Sequence, residues 1–170
     1  PPTANRRFFA GDATGVGDLG TTDYLSLEDI DRVRAMIDDM VFPPQPVKIE
    51  GDHAADENPL YVWYVTGRQW HYIQTATTDR DWRTFLANAH ERSRGFNHPL
   101  FLGTPGMWNG MLIKKMPRGI RFPAGFGVKE YDSSGVIQTN AAAVDTDRAI
   151  ILGAQAAMAE AAMAISMNPY

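Results

Sequence analysis

The segment NHPLFLGTPGMWNGMLIKKMP, residues 97–117, carries the densest set of turn-forming residues in the chain. Near its centre, Asn109-Gly110 separates two apolar runs. An Asn-Gly pair in this setting is typical of a type I′ hairpin, because both central residues of that turn need a positive φ. We therefore expect a strand or loop approaching at 100–102, a tight turn, and a strand over 111–116 that ends at the following proline.

A helix is predicted over residues 26–41. Ser26 is a favourable N-cap, and Asp29, three residues later, completes a pair that resembles a capping box. Apolar residues then recur at steps of three and four and so share one helix face, namely Leu27, Ile30, Val33, Met36, Ile37 and Met40. The Pro43-Pro44 pair ends the helix. The pattern is that of an amphipathic helix whose methionines fill the core.

The next part of the chain is predicted to hold a strand pair and then two helices. The strands are 47–49 and 60–66, and the second is apolar, aromatic and β-branched throughout, as expected for a strand buried on both faces. A short helix follows over 67–75. A second helix begins with Asp79 as its N-cap and ends at Gly95.

The last third of the chain has weaker signals. Residues 118–147 are rich in Gly, Ser, Asp and Thr, which predicts a long, loop-rich insertion with a single strand. Residues 148–153 are predicted to form one short strand. The Ala- and Met-rich segment 154–167 is apolar almost all round, so it must be buried in this chain or against another copy. Helix and strand both stay open for that segment.

Composition restricts the class of protein. The chain has 170 residues, of which 44% are hydrophobic and 21% charged, and this suits a single folded domain. A net charge of −4 argues against a dedicated nucleic-acid-binding domain, which would normally be basic. The absence of cysteine excludes disulfides and thiolate zinc sites. No apolar run is long enough to cross a bilayer. Because the chain begins Pro-Pro-Thr, we expect a piece of a longer polypeptide.

Two sets of residues are candidates for catalysis or metal binding, and each also has a simpler structural interpretation. His53, Asp56 and Glu57 place metal-ligating and acid–base groups in one polar loop, but without helical or paired spacing, so a solvated turn is favoured. His71 and His90 have no carboxylate placed to orient either one as a general base. We therefore predict no catalytic, cofactor-binding or metal-ligating residue.

Two motifs near the start of the chain also have alternative interpretations. Residues 15–20 match Gly-x-Gly-x-x-Gly, but no helix start follows, so a loop is favoured over a dinucleotide site. Arg6-Arg7-Phe8-Phe9 combines basic and aromatic residues, as nucleic-acid contacts do. An exposed arm or a contact between subunits is the favoured interpretation.

The segments DWRTFLANAHERSRGF (residues 81–96) and NHPLFLGTPGMWNGMLIKKMPR (97–118) resemble the central region of the major capsid proteins of one group of tailed bacteriophages, the N-four-type major capsid family. That family has an Asn-Pro-Leu/Ile-Phe-x-Gly-x-x-Gly-x-x-x-Gly-Val type of signature, which is matched here by Asn97, Pro99, Phe101, Gly103, Gly106, Asn109 and Gly110. His98 departs from the signature because it separates the Asn from the Pro. Further segments that look like the family follow in its order at residues 7–13, 23–26, 46–49, 61–66 and 148–156.

The resemblance implies an α+β fold of the HK-ninety-seven type. That fold has a peripheral domain with a long spine helix, an axial domain that meets others at capsomer centres, and an N-arm and extended loop that connect neighbours. By resemblance, residues 1–25 are an extended or loop segment, and 26–117 are the peripheral and axial core, with the helix at 26–41 as the spine helix. Residues 118–147 are the insertion, and 148–170 are a strand plus the apolar segment. The N-arm and extended loop of the family do not appear in this sequence.

The implied function is that of a structural subunit, not an enzyme, which self-assembles into the icosahedral shell enclosing the double-stranded DNA genome of a tailed bacteriophage. Implied partners are other copies in hexamers and pentamers, portal, scaffolding or decoration proteins, and packaged DNA on the inner face, without sequence specificity and without a membrane. The implied location of the protein is the virion, after assembly in the host bacterial cytoplasm. Two alternatives stay open: a small α+β hydrolase built around His53, Asp56 and Glu57, and a phage nucleic-acid-binding accessory module built around Arg6-Arg7-Phe8-Phe9.

Overall fold

The structure, a computed structural model, describes residues 6–49, 57–94, 99–103, 105–131 and 134–154. In chain order its elements are a 3-10 turn at Val16–Asp18, α1 (Leu27–Asp38), β1 (Tyr61–Val65), α2 (Gly67–Ala76), α3 (Asp79–Arg92), a 3-10 turn at Pro99–Phe101, β2 (Gly106–Trp108), β3 (Met111–Lys115), β4 (Ile120–Phe122), β5 (Val128–Tyr131), β6 (Ile137–Asn140), β7 (Thr146–Arg148) and β8 (Ile150–Leu152). This mixture of helices and sheets agrees with the predicted α+β class. Within these ranges, no helix has the length and apolar character needed to cross a bilayer.

A four-stranded sheet in the order β2-β3-β1-β8 forms the centre of the fold. β1 runs parallel to β3 and antiparallel to β8, while β2 and β3 form an antiparallel pair. α2 and α3 provide the long connection that a parallel strand pair requires. Every residue of β1 except Tyr64 is buried, which confirms the prediction of a strand covered on both faces.

Alternate side chains of the central sheet form two apolar layers. The first layer packs residues of β1 and β3 against the three helices, and it consists of Tyr61, Trp63, Val65, Met111, Ile113, Ile30, Val33, Ile37, Ile73 and Phe85, with Leu25. The second layer, on the other face, consists of Leu60, Val62, Leu112, Ile49, Ala89 and Met107. Phe85 and Ala89 of α3 belong to different layers, because α3 lies against β2 at the edge of the sheet.

α1 begins where the sequence predicts. Ser26 Oγ accepts a hydrogen bond from the backbone N–H of Asp29 at 3.2 Å, and Asp29 Oδ2 accepts from the N–H of Ser26 at 3.0 Å, so both halves of the capping box are present. The helix ends at Asp38, three residues before the predicted boundary. It ends early because the N–H of Met40 turns back to the carbonyl of Ile37 at 3.2 Å, which tightens the last turn.

Threonine caps both helices that follow β1. Thr66 Oγ1 accepts from the N–H of Gln69 at 3.2 Å, and Gln69 Oε1 accepts from the N–H of Thr66 at 2.9 Å. Thr78 caps α3, so the prediction of Asp79 as its N-cap is wrong. Asp79 is the first helical residue instead, where its carboxylate favours the positive end of the helix. α3 ends at Arg92, and its predicted terminator, Gly95, lies outside the described residues.

The β2–β3 hairpin confirms the predicted Asn-Gly turn. φ is 45° at Asn109 and 74° at Gly110, so both residues adopt the left-handed conformation that this turn requires. The approach to the hairpin, predicted as a strand or a loop at 100–102, begins within the 3-10 turn at Pro99–Phe101. The side chains of Leu100 and Phe101, in the segment before the hairpin, pack against the second apolar layer of the central sheet.

Residues 118–147 differ most from expectation. β4 pairs with β7 and β5 pairs with β6, each antiparallel, where a single strand was predicted. No apolar run indicates these strands, because each is three or four residues long and β6 is exposed along its whole length. A small apolar cluster of Val16, Val128 and Ala142 packs beside them. The predicted strand at 148–153 is divided between β7 and β8, which belong to different sheets.

One predicted strand is only an isolated bridge in the structure, and other predictions concern residues outside the described ranges. The predicted strand at 47–49 is an isolated antiparallel bridge between Val47 and Leu60, in which the N–H of Val47 donates to the Leu60 carbonyl at 2.8 Å. His53 and Asp56 lie outside the residues that the structure describes, as does the apolar segment 154–167 beyond its first residue.

Candidate functional site

A cleft of about 850 Å³ lies between the N-terminal segment, residues 6–25, and the β1–β8 side of the central sheet. We name it the N-terminal cleft. Its lining includes six aromatic side chains, which are Phe8, Phe9, Tyr24, Trp63, Tyr72 and Phe122. The rings of Tyr24 and Tyr72 stack with centroids 5.3 Å apart. The indole Nε1 of Trp63 is buried and has no hydrogen-bond partner within the described parts of the chain.

Asp147 joins one wall of the cleft to the central sheet. Its carboxylate accepts from Thr66 Oγ1 at 2.9 Å and from Arg121 Nε at 2.7 Å, and its backbone carbonyl accepts from Gln69 Nε2 at 3.2 Å. Thr66 and Gln69 are the capping pair of α2, so these bonds tie the β4–β7 pair to the start of that helix.

The same bonds explain how Asp147 titrates. Burial raises the pKa of the Asp147 carboxyl, but the hydrogen bonds from Arg121 and Thr66 oppose it, and the net pKa lies below the ordinary value of an aspartate. The hydrogen bond to Asp147 likewise raises the pKa of Arg121. These shifts arise from a structural ion pair, so they do not indicate a group poised for acid–base catalysis.

Glu130 fastens the N-terminal segment to β5. It is only 5% exposed, and its Oε2 accepts from Arg7 Nη1 at 2.9 Å. Its Oε1 accepts from the N–H of Val16 at 3.3 Å and from the side-chain amide of Asn140. Arg7 also donates to the carbonyl of Tyr131. A buried carboxylate is tolerated only with such partners, so Glu130 fixes where the segment crosses the β5–β6 pair.

Three arginines contribute to the lining of the N-terminal cleft: Arg6, Arg68 and Arg148. The guanidinium of Arg148 lies over an aromatic ring of the cleft, 5.0 Å from its centroid. Arg6 and Arg68 form no ion pair with any described residue. The neighbouring carboxylates of Asp23 and Asp145 accept backbone N–H groups instead. The cleft is thus lined by aromatic rings together with three arginines and three aspartates, Asp23, Asp145 and Asp147.

The two N-terminal motifs serve as structural elements. The glycine-rich motif at 15–20 contains a 3-10 turn at Val16–Asp18, and residues 6–14, which the structure describes before it, form no strand, which confirms the loop interpretation. The basic and aromatic group is divided: Arg7 binds Glu130, Phe8 packs against the first layer and Phe9 against the small cluster. Arg6 is the exposed member of that group.

The candidate catalytic and metal-binding residues that the structure describes do not lie together in one site. His71 and His90 are exposed on different helices, and Glu57 is exposed on a turn. Across the described ranges, no three His, Cys, Asp or Glu side chains come together as a metal-binding set. The sequence does not indicate the roles of Asp147 and Glu130, because Thr66 lies 81 residues from Asp147 and Arg7 lies 123 residues from Glu130, and no local pattern reports such contacts.

Large apolar side chains are exposed at several separate places on the surface: Tyr24, Val41, Phe42, Leu102, Ile120, Phe126, Val136 and Ile137. Apolar groups that the fold leaves uncovered are suited to contact with other molecules when they lie together. Val41 and Phe42 are neighbours in sequence and are the two most exposed of the set.

The chain belongs to the phage capsid protein family, whose model matches residues 1–166. Its fold is similar to a solved structure, the capsid of Ralstonia phage GP4, with a TM-score of 0.62 and 21% sequence identity over 89% of this chain. The chain spans 38% of the length of that capsid chain. No curated protein matches the sequence. The family match confirms the predicted resemblance to phage capsid proteins, and family membership implies a structural protein.

Proposed function

We propose that this chain is part of a major capsid subunit that assembles into the icosahedral shell around the double-stranded DNA genome of a tailed bacteriophage. The observation that carries the proposal is the match of the phage capsid protein family to residues 1–166. Because the match extends over nearly the whole sequence, it does not depend on one short motif. The similarity to the capsid of Ralstonia phage GP4 supports it at the level of the fold.

The HK-ninety-seven-type fold is part of this proposal. α1 is then the spine helix, and residues 26–117 are the peripheral and axial core, with 1–25, 118–147 and 148–170 as the remaining segments. The support is the order of the family motifs along the chain and the burial of one face of α1 on the central sheet.

Assembly into hexamers and pentamers is proposed from the same membership. A shell subunit needs apolar surface that is covered only when copies meet, and the exposed side chains of Val41, Phe42 and Leu102 are of that kind. Portal, scaffolding or decoration proteins are further proposed partners. A net charge of −4 is compatible with an inner face that contacts packaged DNA without sequence specificity. We place assembly in the host cytoplasm and the mature protein in the virion, with no enzymatic role.

The test is the size of the particle formed by the complete gene product that contains this chain. Mass photometry and negative-stain images of the same sample should show closed shells of megadalton mass. A matched control is Gly106→Trp, which would place an indole inside the core and should abolish the shells while leaving expression measurable. A wild-type product that stays a monomer or dimer would contradict the proposal.

No described contact favours either alternative function. The hydrolase hypothesis rests on His53 and Asp56, which lie outside the described residues, and on Glu57, which is exposed. The nucleic-acid hypothesis loses support because Arg7 is held by Glu130 and the two phenylalanines beside it pack inward.

A further inference from the structure

One carboxylate of α1 holds the tip of the β2–β3 hairpin. Asp31 Oδ1 accepts from Asn109 Nδ2 at 3.1 Å, and Asp31 Oδ2 accepts from Trp108 Nε1 at 3.1 Å. Both oxygens of a single side chain thus bind adjacent residues of the hairpin. Asp31 and Asn109 are exposed, so water reaches this contact.

The asparagine in this contact belongs to a chemically labile pair. In a flexible chain, the backbone nitrogen of the residue after an asparagine attacks Cγ of the asparagine side chain, which makes asparagine a thermolabile residue. Glycine in the second position leaves that nitrogen unhindered, because it has no Cβ. Asn109-Gly110 is the one Asn-Gly pair in the sequence.

The reaction needs only water as a co-reactant. A bond forms between the backbone nitrogen of Gly110 and Cγ of Asn109, and this nitrogen gives up its proton to the solvent. The bond between Cγ and Nδ2 then breaks, and Nδ2 takes up a proton and leaves as ammonia. Water opens the resulting five-membered cyclic imide at either carbonyl carbon, which yields aspartate or isoaspartate. Nothing is oxidised or reduced.

The folded turn opposes this ring closure. φ at Asn109 is 45°, in the left-handed region where ψ is also positive. In that conformation the nitrogen of the next residue lies on the opposite side of the Cα–C bond from Cβ, so Gly110 N is directed away from Cγ. The carbonyl of Gly110 also accepts from the N–H of Tyr61 at 3.0 Å, which fixes the far side of the turn. Attack therefore requires the turn to open.

Asp31 opposes the opening of the turn. Its hydrogen bond directs the side-chain amide of Asn109 toward α1, and its second bond holds the neighbouring indole of Trp108. Both bonds have to break before the Asn109 side chain and the backbone of the turn are free to rotate. Local opening of this kind sets the rate of reactions that the folded conformation forbids.

We propose that Asn109 is a site of spontaneous deamidation and that Asp31 is the positioning residue that suppresses the reaction in the folded chain. The product places a carboxylate at position 109 opposite the carboxylate of Asp31, where an amide donor stood before. Like charges at this distance repel, and the hydrogen bond is lost. Isoaspartate also adds an atom to the backbone of the turn.

Deamidation therefore marks chains whose hairpin has been open, because the modified tip no longer binds α1 as before. This site goes beyond the proposed function and does not depend on it, since the chemistry belongs to the folded chain itself.

Peptide mapping by mass spectrometry tests the site on the unassembled complete gene product, incubated at mildly alkaline pH with and without urea. Asn109 should convert at least roughly tenfold more slowly in the folded protein than in urea, because only the opened fraction reacts. Asp31→Ala should accelerate conversion in the folded protein by roughly tenfold, since two hydrogen bonds that oppose opening are gone. The rate in urea should not change.

Glu28→Ala is the matched control. Glu28 is an exposed carboxylate in the first turn of the same helix. Its removal should leave the conversion rate of Asn109 at the wild-type value.

A mimic of the product gives an independent measurement. Asn109→Asp should lower the melting temperature by about 2–4 °C, which corresponds to the loss of one hydrogen bond in a chain of this size. Adding Asp31→Asn should restore most of that loss. The amide introduced at position 31 then donates to the new carboxylate, while its oxygen still accepts from Trp108 Nε1.

Several results would overturn the proposal. Equal conversion rates with and without urea would show that the fold gives no protection. An Asp31→Ala rate no higher than that of Glu28→Ala would remove the role of Asp31. If Asp31→Ala does not fold, the double substitution decides instead, and a failure of Asp31→Asn to rescue Asn109→Asp contradicts the contact. None of these results changes the proposed capsid function.

Discussion

The ring of Phe85 on α3 occupies the space that a Cβ atom at position 106 would need. Gly106 is the first residue of β2, so the missing side chain lets α3 lie directly against the edge of the central sheet. Phe85 is fully buried there and packs in the first apolar layer. Glycine at position 106 therefore has a packing reason.

Gly106→Ala should lower the free energy of unfolding by about 1–3 kcal/mol, the usual cost of forcing extra atoms into a packed core. Urea denaturation followed by tryptophan fluorescence measures the change. Gly17→Ala is the matched control, since a Cβ at Gly17 would meet nothing within 4 Å and the change should stay within about 0.5 kcal/mol. Adding Phe85→Leu to Gly106→Ala should cost less than the sum of the single changes, and strict additivity would contradict the contact.

Gly110 and Gly125 separate the effect of backbone conformation from the effect of space. Their φ angles are nearly equal, 74° and 76°, but a Cβ at Gly125 would meet nothing within 4 Å, whereas one at Gly110 would lie 2.7 Å from the carbonyl oxygen of Pro59. Gly125→Ala should cost about 1 kcal/mol from the left-handed conformation alone. Gly110→Ala should cost at least about 1 kcal/mol more, because a backbone atom cannot move aside cheaply. Equal losses in parallel unfolding measurements would show that conformation alone sets the cost.

Asp147 should make stability depend on pH in the acid range. Its pKa in the folded protein is below that of the unfolded chain, so the ionised carboxylate stabilises the fold above about pH 4. This contribution is lost as the pH falls through the folded-state pKa. Asp147→Asn should therefore lower the free energy of unfolding by about 1 kcal/mol at neutral pH. The difference from wild type should shrink progressively below about pH 4.

Unfolding curves recorded across this pH range give the comparison. Asp12→Asn serves as the control, because Asp12 is exposed and lies outside the Asp147 network. A deficit of Asp147→Asn that stays constant down to the most acid condition would mean that the lost contribution is steric rather than electrostatic.

Glu130→Gln should loosen the N-terminal segment. The substitution leaves the half-buried guanidinium of Arg7 without its carboxylate partner, and breaking one side of such a pair is destabilising. Tryptic cleavage after Arg7 in the native protein should become at least roughly tenfold faster, because proteolysis follows the population of the opened segment. Glu57→Gln, at an exposed position, should leave the cleavage rate unchanged. An unchanged rate in Glu130→Gln would show that other contacts hold the segment.

Interactions between near neighbours made much of this fold predictable. The capping box of Ser26 and Asp29 joins residues three apart, and the Asn109-Gly110 turn depends on the conformations of two adjacent residues. The apolar run of residues in β1 is sufficient to predict that strand. The resemblance to the capsid family could be seen in the sequence for a similar reason, because it is carried by short motifs that follow one another in a fixed order along the chain. Each of these features is complete within a few residues, so the sequence alone determined them.

Tertiary structure alone decided what depends on distant partners. The position of β8 beside β1, the division of 148–153 between two sheets and the four short strands of 118–147 arise from pairing across long separations. The roles of Asp147 and Glu130 do so as well, because a carboxylate becomes a structural node only when the fold buries it beside a donor from another element. The charge, length and periodicity of one segment do not indicate which distant segment will pack against it. The N-terminal cleft and the exposed Val41–Phe42 pair follow the same rule: their residues are ordinary in sequence, and only folding groups one set around a cavity and leaves the other exposed.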